Sequence, residues 1–191
     1  MMQKHWIEKK ITYEGSQLKP LFAYLNYHLM GHSIVSWQGP CQISLEHMVD
    51  GEDFIENAKI CGDEMLHFII EVFDQKLMTG VALQRLFASI LKDYFGEKFP
   101  HITLVREGDD LYWNEKKLSI SIASISQVST MIHFAMNIVN EGTPVPTCAL
   151  EDFWLESSKS PSVQVIAWDL MSLFVKEFES IYKATCKVKP L

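Results

Sequence analysis

The segment Gly108–Ser124, GDDLYWNEKKLSISIAS, decides how the rest of the chain is read. Leu111, Tyr112 and Trp113 are strand formers, and Asn114-Glu115 suits a tight reversal. Lys117–Ile122 then alternates Lys, Leu, Ser, Ile, Ser, Ile. Period-two alternation with a β-branched bias predicts a hairpin whose returning strand has one apolar face and one small polar face. Lys117, Ser119 and Ser121 share the polar face. An ammonium above two hydroxyls suits a pocket floor, and equally a wetted sheet surface; spacing alone leaves both open.

Composition narrows the setting. A chain of 191 residues predicts one domain with a substantial core. With 48% hydrophobic and 21% charged residues it has the balance of a globular protein in water. Apolar runs such as MLHFIIEVF fall far short of the roughly 20 residues that span a bilayer. The N-terminal MMQKHWIEKK lacks the apolar stretch of a secretory signal, so the cytoplasm is expected and a membrane is not. A net charge of −7 argues against nucleic acid, whose phosphates demand a basic footprint. Cys41, Cys61, Cys148 and Cys186 are widely spaced without a C-x-x-C pair, which predicts four reduced thiols rather than a zinc ribbon or a disulfide framework.

Read along its length, the chain alternates helical and extended patterns. His5–Tyr13 predicts a strand. Ser16 is placed to cap a helix from about Leu18 to Gly31, with Pro20 in its first turn. HSIVSWQ and CQISLEHM predict two strands separated at Gly39-Pro40, and DGEDFIENAK a polar loop or short helix. EMLHFIIEVF reads as a buried strand. KLMTGVALQRLFASILKDYF is the clearest amphipathic helix, with Leu83, Leu86, Phe87, Ile90 and Leu91 at helical spacing. After the hairpin, VSTMIHFAMNIV predicts a strand, LEDFW a short helix and SVQVIAWDLMSLFVKEFESIYKA a closing amphipathic helix. This order predicts an α+β fold with a mixed or antiparallel sheet flanked by helices.

At this point the hairpin resembles something known. DLYWNEKKLSIS is similar to the lysine hairpin of biotin and lipoate protein ligases and octanoyl transferases, with Lys117 at the catalytic lysine and Asp110 opening the motif. LFAYLNYHLMG followed by SIVSWQGPCQISLEHMVDGED resembles the ligases' opening helix and following strand, and IHFAMNIV the strand after their hairpin. Over nearly its whole length, through YEGSQL, LEHMVDGED, DEMLHFIIE, LQRL, KLSISIAS and EGTPVP, the chain resembles the prokaryotic family known as domain of unknown function 366. The resemblance implies a biotin/lipoate-ligase-like fold, related to class II aminoacyl-tRNA synthetases, and no particular reaction. One segment departs from the ligases. Where they carry an Arg- and Gly-rich adenylate loop, this chain reads ENAKICGDEMLHFIIE, with one glycine, no arginine and adjacent acids Asp63 and Glu64 that would repel a phosphate.

The candidate site follows from both readings. Lys117 is the candidate oxyanion-stabilising cation, with Asp110, Ser119, Ser121 and His133 beside it as ligand contacts. Cys148 follows Lys117 at a separation similar to that of the octanoyl transferases' nucleophilic cysteine. The resemblance therefore makes it the candidate acyl acceptor. By residue type alone, a lone cysteine is more often a small core residue. Glu46 and His47, with Asp50 nearby, and His67 and Glu71 form a second constellation. They lack a tight metal signature such as H-E-x-x-H and are expected to form a polar pocket network without metal. Arg85 could reach an anionic ligand or lie on a solvated helix face. Ser16 and Gln17 could contact the ligand, with capping the safer role. These residues predict a small acyl- or nucleotide-like ligand and, if there is chemistry, acyl transfer from a thioester on an acyl carrier protein. The alternative is a non-catalytic binding or assembly protein on a ligase-like scaffold. The cofactor, including any use of ATP, and self-association are left open.

Overall fold

A computed structural model describes residues 1–74, 76–154 and 161–189. In chain order, β1 (Gln3–Trp6), α1 (Phe22–Tyr27), β2 (Ser33–Gln42), α2 (Gly51–Glu56) and β3 (Cys61–Val72) come first. The helix α3 (Leu77–Lys98) leads to the short strands β4 (Val105–Glu107), β5 (Asp110–Trp113) and β6 (Lys116–Lys117). β7 (Ser119–Ile125), β8 (Thr130–Asn137), α4 (Leu150–Trp154) and α5 (Val163–Thr185) complete the fold. One sheet runs β1-β2-β3-β8-β7, and a smaller one β4-β5-β6. β1 is parallel to β2 and every other pairing is antiparallel, so the expected mixed sheet flanked by helices is what forms. No helix among the described residues is long and apolar enough to cross a membrane.

Register assigns the two faces of the large sheet. Ile34 pairs with Ile70, Ile70 with Ile132 and Phe68 with Phe134, and these residues enter one core with α3 and α5. Phe87 of α3 meets Phe68, Phe134 and Phe174 edge to face, so sheet and both helices share one aromatic cluster. The alternate residues Val35, Trp37, Met65, Ile69 and Ala135 form a second core on the opposite face with Tyr13 and Phe22. That second face carries the candidate site.

Four local expectations change. The strand foreseen over His5–Tyr13 ends at Trp6, and Tyr13 returns to the sheet only as a bridge to Cys41. The helix foreseen over Leu18–Gly31 is only Phe22–Tyr27. Leu21 before it is left-handed (φ 64°), and its N–H goes to Glu71 Oε1 at 2.8 Å, while Ser16 lies in a turn and caps nothing. Gly39-Pro40 does not separate two strands. β2 runs through it with a register shift between Gly39 and Cys41, as expected where proline lacks a ladder donor, and Leu45–His47 is a 3-10 turn. Finally, Lys117–Ile122 is not one strand. Leu118 is fully buried and breaks it, so that β6 stays with the hairpin and β7 crosses to the large sheet beside β8.

Candidate functional site

The hairpin turn aims the lysine. Asn114 and Glu115 both take positive φ (50° and 64°), the requirement of a type I′ reversal. This pairs Tyr112 with Lys117 and brings Lys117 Nζ to 2.8 Å from Asp110 Oδ2. Burial raises the Asp110 carboxyl, with Asp109 adding to the rise and the Lys117 ammonium opposing it. The Lys117 backbone is fixed on both sides. Its N–H donates to Pro146 O and its carbonyl accepts from Cys148 N–H. The ammonium opens into a cavity of about 520 Å³.

The cavity floor is the second sheet face: Tyr13, Met65, Ile120, Ile122, His133 and Asn137. Ile120 pairs with Ala135 and Ile122 with His133, so the isoleucines of β7, not its serines, look inward. One wall is α2, which forms because Asp50 caps it, accepting from the N–H groups of Glu52 and Asp53. Six carboxylates line the space (Asp50, Glu52, Asp53, Glu56, Asp109 and Asp110) against the ammonium groups of Lys59 and Lys117. Desolvation and the neighbouring Asp50 raise the Asp53 carboxyl. Such a lining favours cationic or neutral groups and disfavours phosphates.

His133 of the floor pairs with His67 buried beneath it. His67 Nε2 is 3.0 Å from the Gly39 carbonyl, and His67 Nδ1 is 3.2 Å from His133 Nε2. Burial lowers both; His67 falls to about 4 and His133 falls well below its ordinary value, so both rings are neutral near pH 7. Tyr13 stacks on His133 with ring centroids 3.5 Å apart and planes 11° from parallel. Its phenol is raised by burial and stays protonated.

The structure brings Lys117, Asp110, His47, His133, Ser119 and Ser121 to the cavity lining and disperses the other candidates. Ser119 and Ser121 border it at the edge strand, but their hydroxyls turn toward the helix layer. Ser119 Oγ accepts from Leu111 N–H, and Ser121 Oγ lies 2.6 Å from Asp109 and 2.8 Å from Gln84 Nε2 of α3. His67 is fully buried below the floor, and Glu71, although on the same face, is spent anchoring Leu21 N–H and Ser129 Oγ. Glu46 sits on an exposed turn, so the second constellation is not assembled. Gln17 clamps its own loop through Thr12 O and Glu14 N–H, with Ser16 Oγ 3.5 Å from its side chain; neither enters the cavity. Arg85 is exposed on α3 outside the site.

Cys148 is the main correction. It is fully buried, its thiol donates to Lys116 O at 3.3 Å, and desolvation pushes it up to about 11. It does not line the cavity. The sequence separation from Lys117 measured a β-bridge partner, because Thr147 and Cys148 pair with the lysine's backbone. Tyr13, Asp53, Asp109 and Asn137 went unnoticed in the sequence. Only Asp109, adjacent to a motif aspartate, carried a visible signal.

Comparison with known proteins places this geometry. An uncharacterized protein of Methanocaldococcus jannaschii is 30% identical over 193 residues, covering 97% of this chain and 84% of that protein. A solved structure titled as a protein of unknown function from Pyrococcus horikoshi is 33% identical, covers both chains completely and superposes with a TM-score of 0.93. The biotin protein ligase of Aquifex aeolicus, solved with biotin and ATP, superposes with a TM-score of 0.59 at 12% identity, over 92% of this chain and 72% of that one. At that identity the likeness establishes the fold alone. The family pattern of domain of unknown function 366 matches residues 2–189, and the chain therefore belongs to that family, built on the biotin/lipoate-ligase fold.

Proposed function

We propose that the cavity binds a small acyl compound, its carbonyl or carboxylate end at Lys117 and its apolar body along the sheet. The observation that carries this reading is the Lys117–Asp110 pair opening onto a floor of Tyr13, Met65, Ile120 and Ile122. One of the ammonium's three protons is engaged by Asp110, which leaves the others for a ligand oxygen. The acidic lining weighs against an adenylate or ATP as occupant. The buried Cys148 weighs against an acyl-cysteine intermediate. If a thioester on an acyl carrier protein is the acyl source, transfer goes directly to an acceptor, with Lys117 stabilising the oxyanion.

A second reading, a binding or assembly protein without chemistry, is favoured by the same acidic lining. Thermal shift with octanoate, an octanoyl thioester, biotin, lipoate and ATP separates the two. Under the acyl reading an acyl ligand at about 100 times its Kd adds about 2.7 kcal/mol of apparent stability. Lys117→Ala removes that gain and alters the apo protein by no more than about 1 kcal/mol, because the broken ion pair is only partly buried. No shift with any acyl compound leaves the assembly reading. A shift with ATP alone overturns the acyl preference.

A further inference from the structure

Two surfaces of opposite charge each carry exposed apolar side chains. The segment Leu45–Glu56 holds Glu46, Asp50, Glu52, Asp53 and Glu56 and no lysine or arginine. Its helix α2 buries no residue completely, and Phe54 and Ile55 stand 57% and 83% exposed, with Leu45 and Val49 exposed beside them. Exposed apolar groups gathered on one short segment mark an interaction surface. The second surface is the C-terminal half of α5. Lys176, Lys183 and Lys187, seven and four residues apart, fall along one side of it. They line a groove of about 500 Å³ whose one carboxylate, among the described residues, is Glu179. In a chain of net charge −7 this is a local excess of positive charge. Every residue from Ile181 to Lys189 is exposed, Tyr182 by 64%, although α5 stays helical to Thr185. A helix end without a buried face has little to hold it, since most helical stability comes from tertiary packing.

We propose that this groove is filled by the Leu45–Glu56 segment of a second copy of the chain, carboxylates against lysines and apolar side chains beside Val175 and Tyr182. Charge complementarity selects this occupant, because the acidic segment and the basic groove match each other and every copy carries both. Within one copy the two halves stand apart: α5 packs into the helix-side core, while α2 walls the cavity on the opposite sheet face. The contact is therefore heterologous, copy onto copy in one direction, and closes into a ring or extends as a chain. Glu52, Asp53 and Glu56 also line the cavity, so the neighbour's lysines offset that acidic wall and the assembly completes the mouth of the site. Assembly of this kind is independent of what the cavity binds.

Light scattering after size exclusion, on the full chain, tests it. The wild type is expected to exceed the monomer mass at low salt and to dissociate between about 10 mM and about 1 M salt, as the screening length falls from about 30 to about 3 Å. The double variants Lys183→Glu/Lys187→Glu and Glu52→Lys/Glu56→Lys are each expected to weaken association by at least about 100-fold, since like charges then face each other. An equimolar mixture of the two is expected to assemble again, because reversed groove meets reversed segment and native groove meets native segment. On the wild type, carbodiimide cross-linking is expected to join Glu52 or Glu56 to Lys183 or Lys187 between copies. A wild-type chain that stays monomeric at low salt overturns the inference. So does an assembly that survives both reversals, or a mixture of folded variants that stays monomeric. A cross-linked oligomer without those links overturns it even where a variant fails to fold.

Discussion

At the scale of single residues, His67 and His133 make stability depend on pH in a defined direction. Both are held neutral in the fold below the ordinary histidine value of 6.5, His67 down to about 4. As pH falls below 6.5 the unfolded chain binds protons that the native state refuses, so the unfolded state gains. Stability is full above about 6.5 and is lost between there and about 4, with a slope of up to about 1.4 kcal/mol per pH unit for each histidine. Asp53 and Asp110, whose carboxyls are raised, act in the opposite sense near the bottom of that window. Urea unfolding from about pH 8 to about pH 4 checks this, and His133→Phe should flatten the slope. A comparable slope in the variant would mean that the histidines are not the groups responsible. These residues also show why chemistry is hard to read from a sequence. His67 and Glu71 do share a strand face as their spacing implied, yet one bonds Gly39 and His133 and the other Leu21 and Ser129. A strand face specifies direction; partners come from segments distant in the chain.

At the scale of elements, the lysine hairpin is specified locally, and its turn is improvable. Glu115 occupies a left-handed position (φ 64°) where a side chain is strained and glycine is not. Glu115→Gly is expected to raise stability by about 1 kcal/mol, read as a shift of the denaturant midpoint with unchanged slope. A loss of stability would show that Glu115 makes contacts that outweigh its backbone strain. The bulge in β2 is the opposite case. A Cβ at Gly39 would collide with the backbone carbonyl of Ile11, which also accepts from Trp37 Nε1–H at 2.9 Å. That close approach lets the segment bearing Tyr13 lie on the sheet and leaves the Gly39 carbonyl for His67. Gly39-Pro40 looked like a strand end because both residues usually end strands. Here they bend one, because proline lacks a ladder donor and Ile11 crosses closely at Gly39.

At the scale of the whole molecule, two cores share one sheet, and they serve different ends. The helix-side core is dense and aromatic, and Phe87 joins three of its layers. Phe87→Ala is expected to cost about 3–5 kcal/mol, measured by chemical denaturation. A cost below about 1 kcal/mol would mean that this core does not hold the fold. The opposite face gives up part of its packing to the cavity. The fold class, the amphipathic α3 and α5, the buried β3 and β8 and the lysine hairpin were legible in the sequence, because period and propensity act over a few neighbouring residues. The resemblance to ligases was legible for the same reason, since its motif is one hairpin long. Tertiary structure decided the rest: that Ile120 and Ile122 rather than Ser119 and Ser121 face the cavity, and that Cys148 is core. It also decided that Tyr13 covers His133 and that acids from α2 meet those of the hairpin. The physical reason is that each of these depends on which strand crosses to which sheet, and a two-residue strand ending at Lys117 redirects every side chain after it.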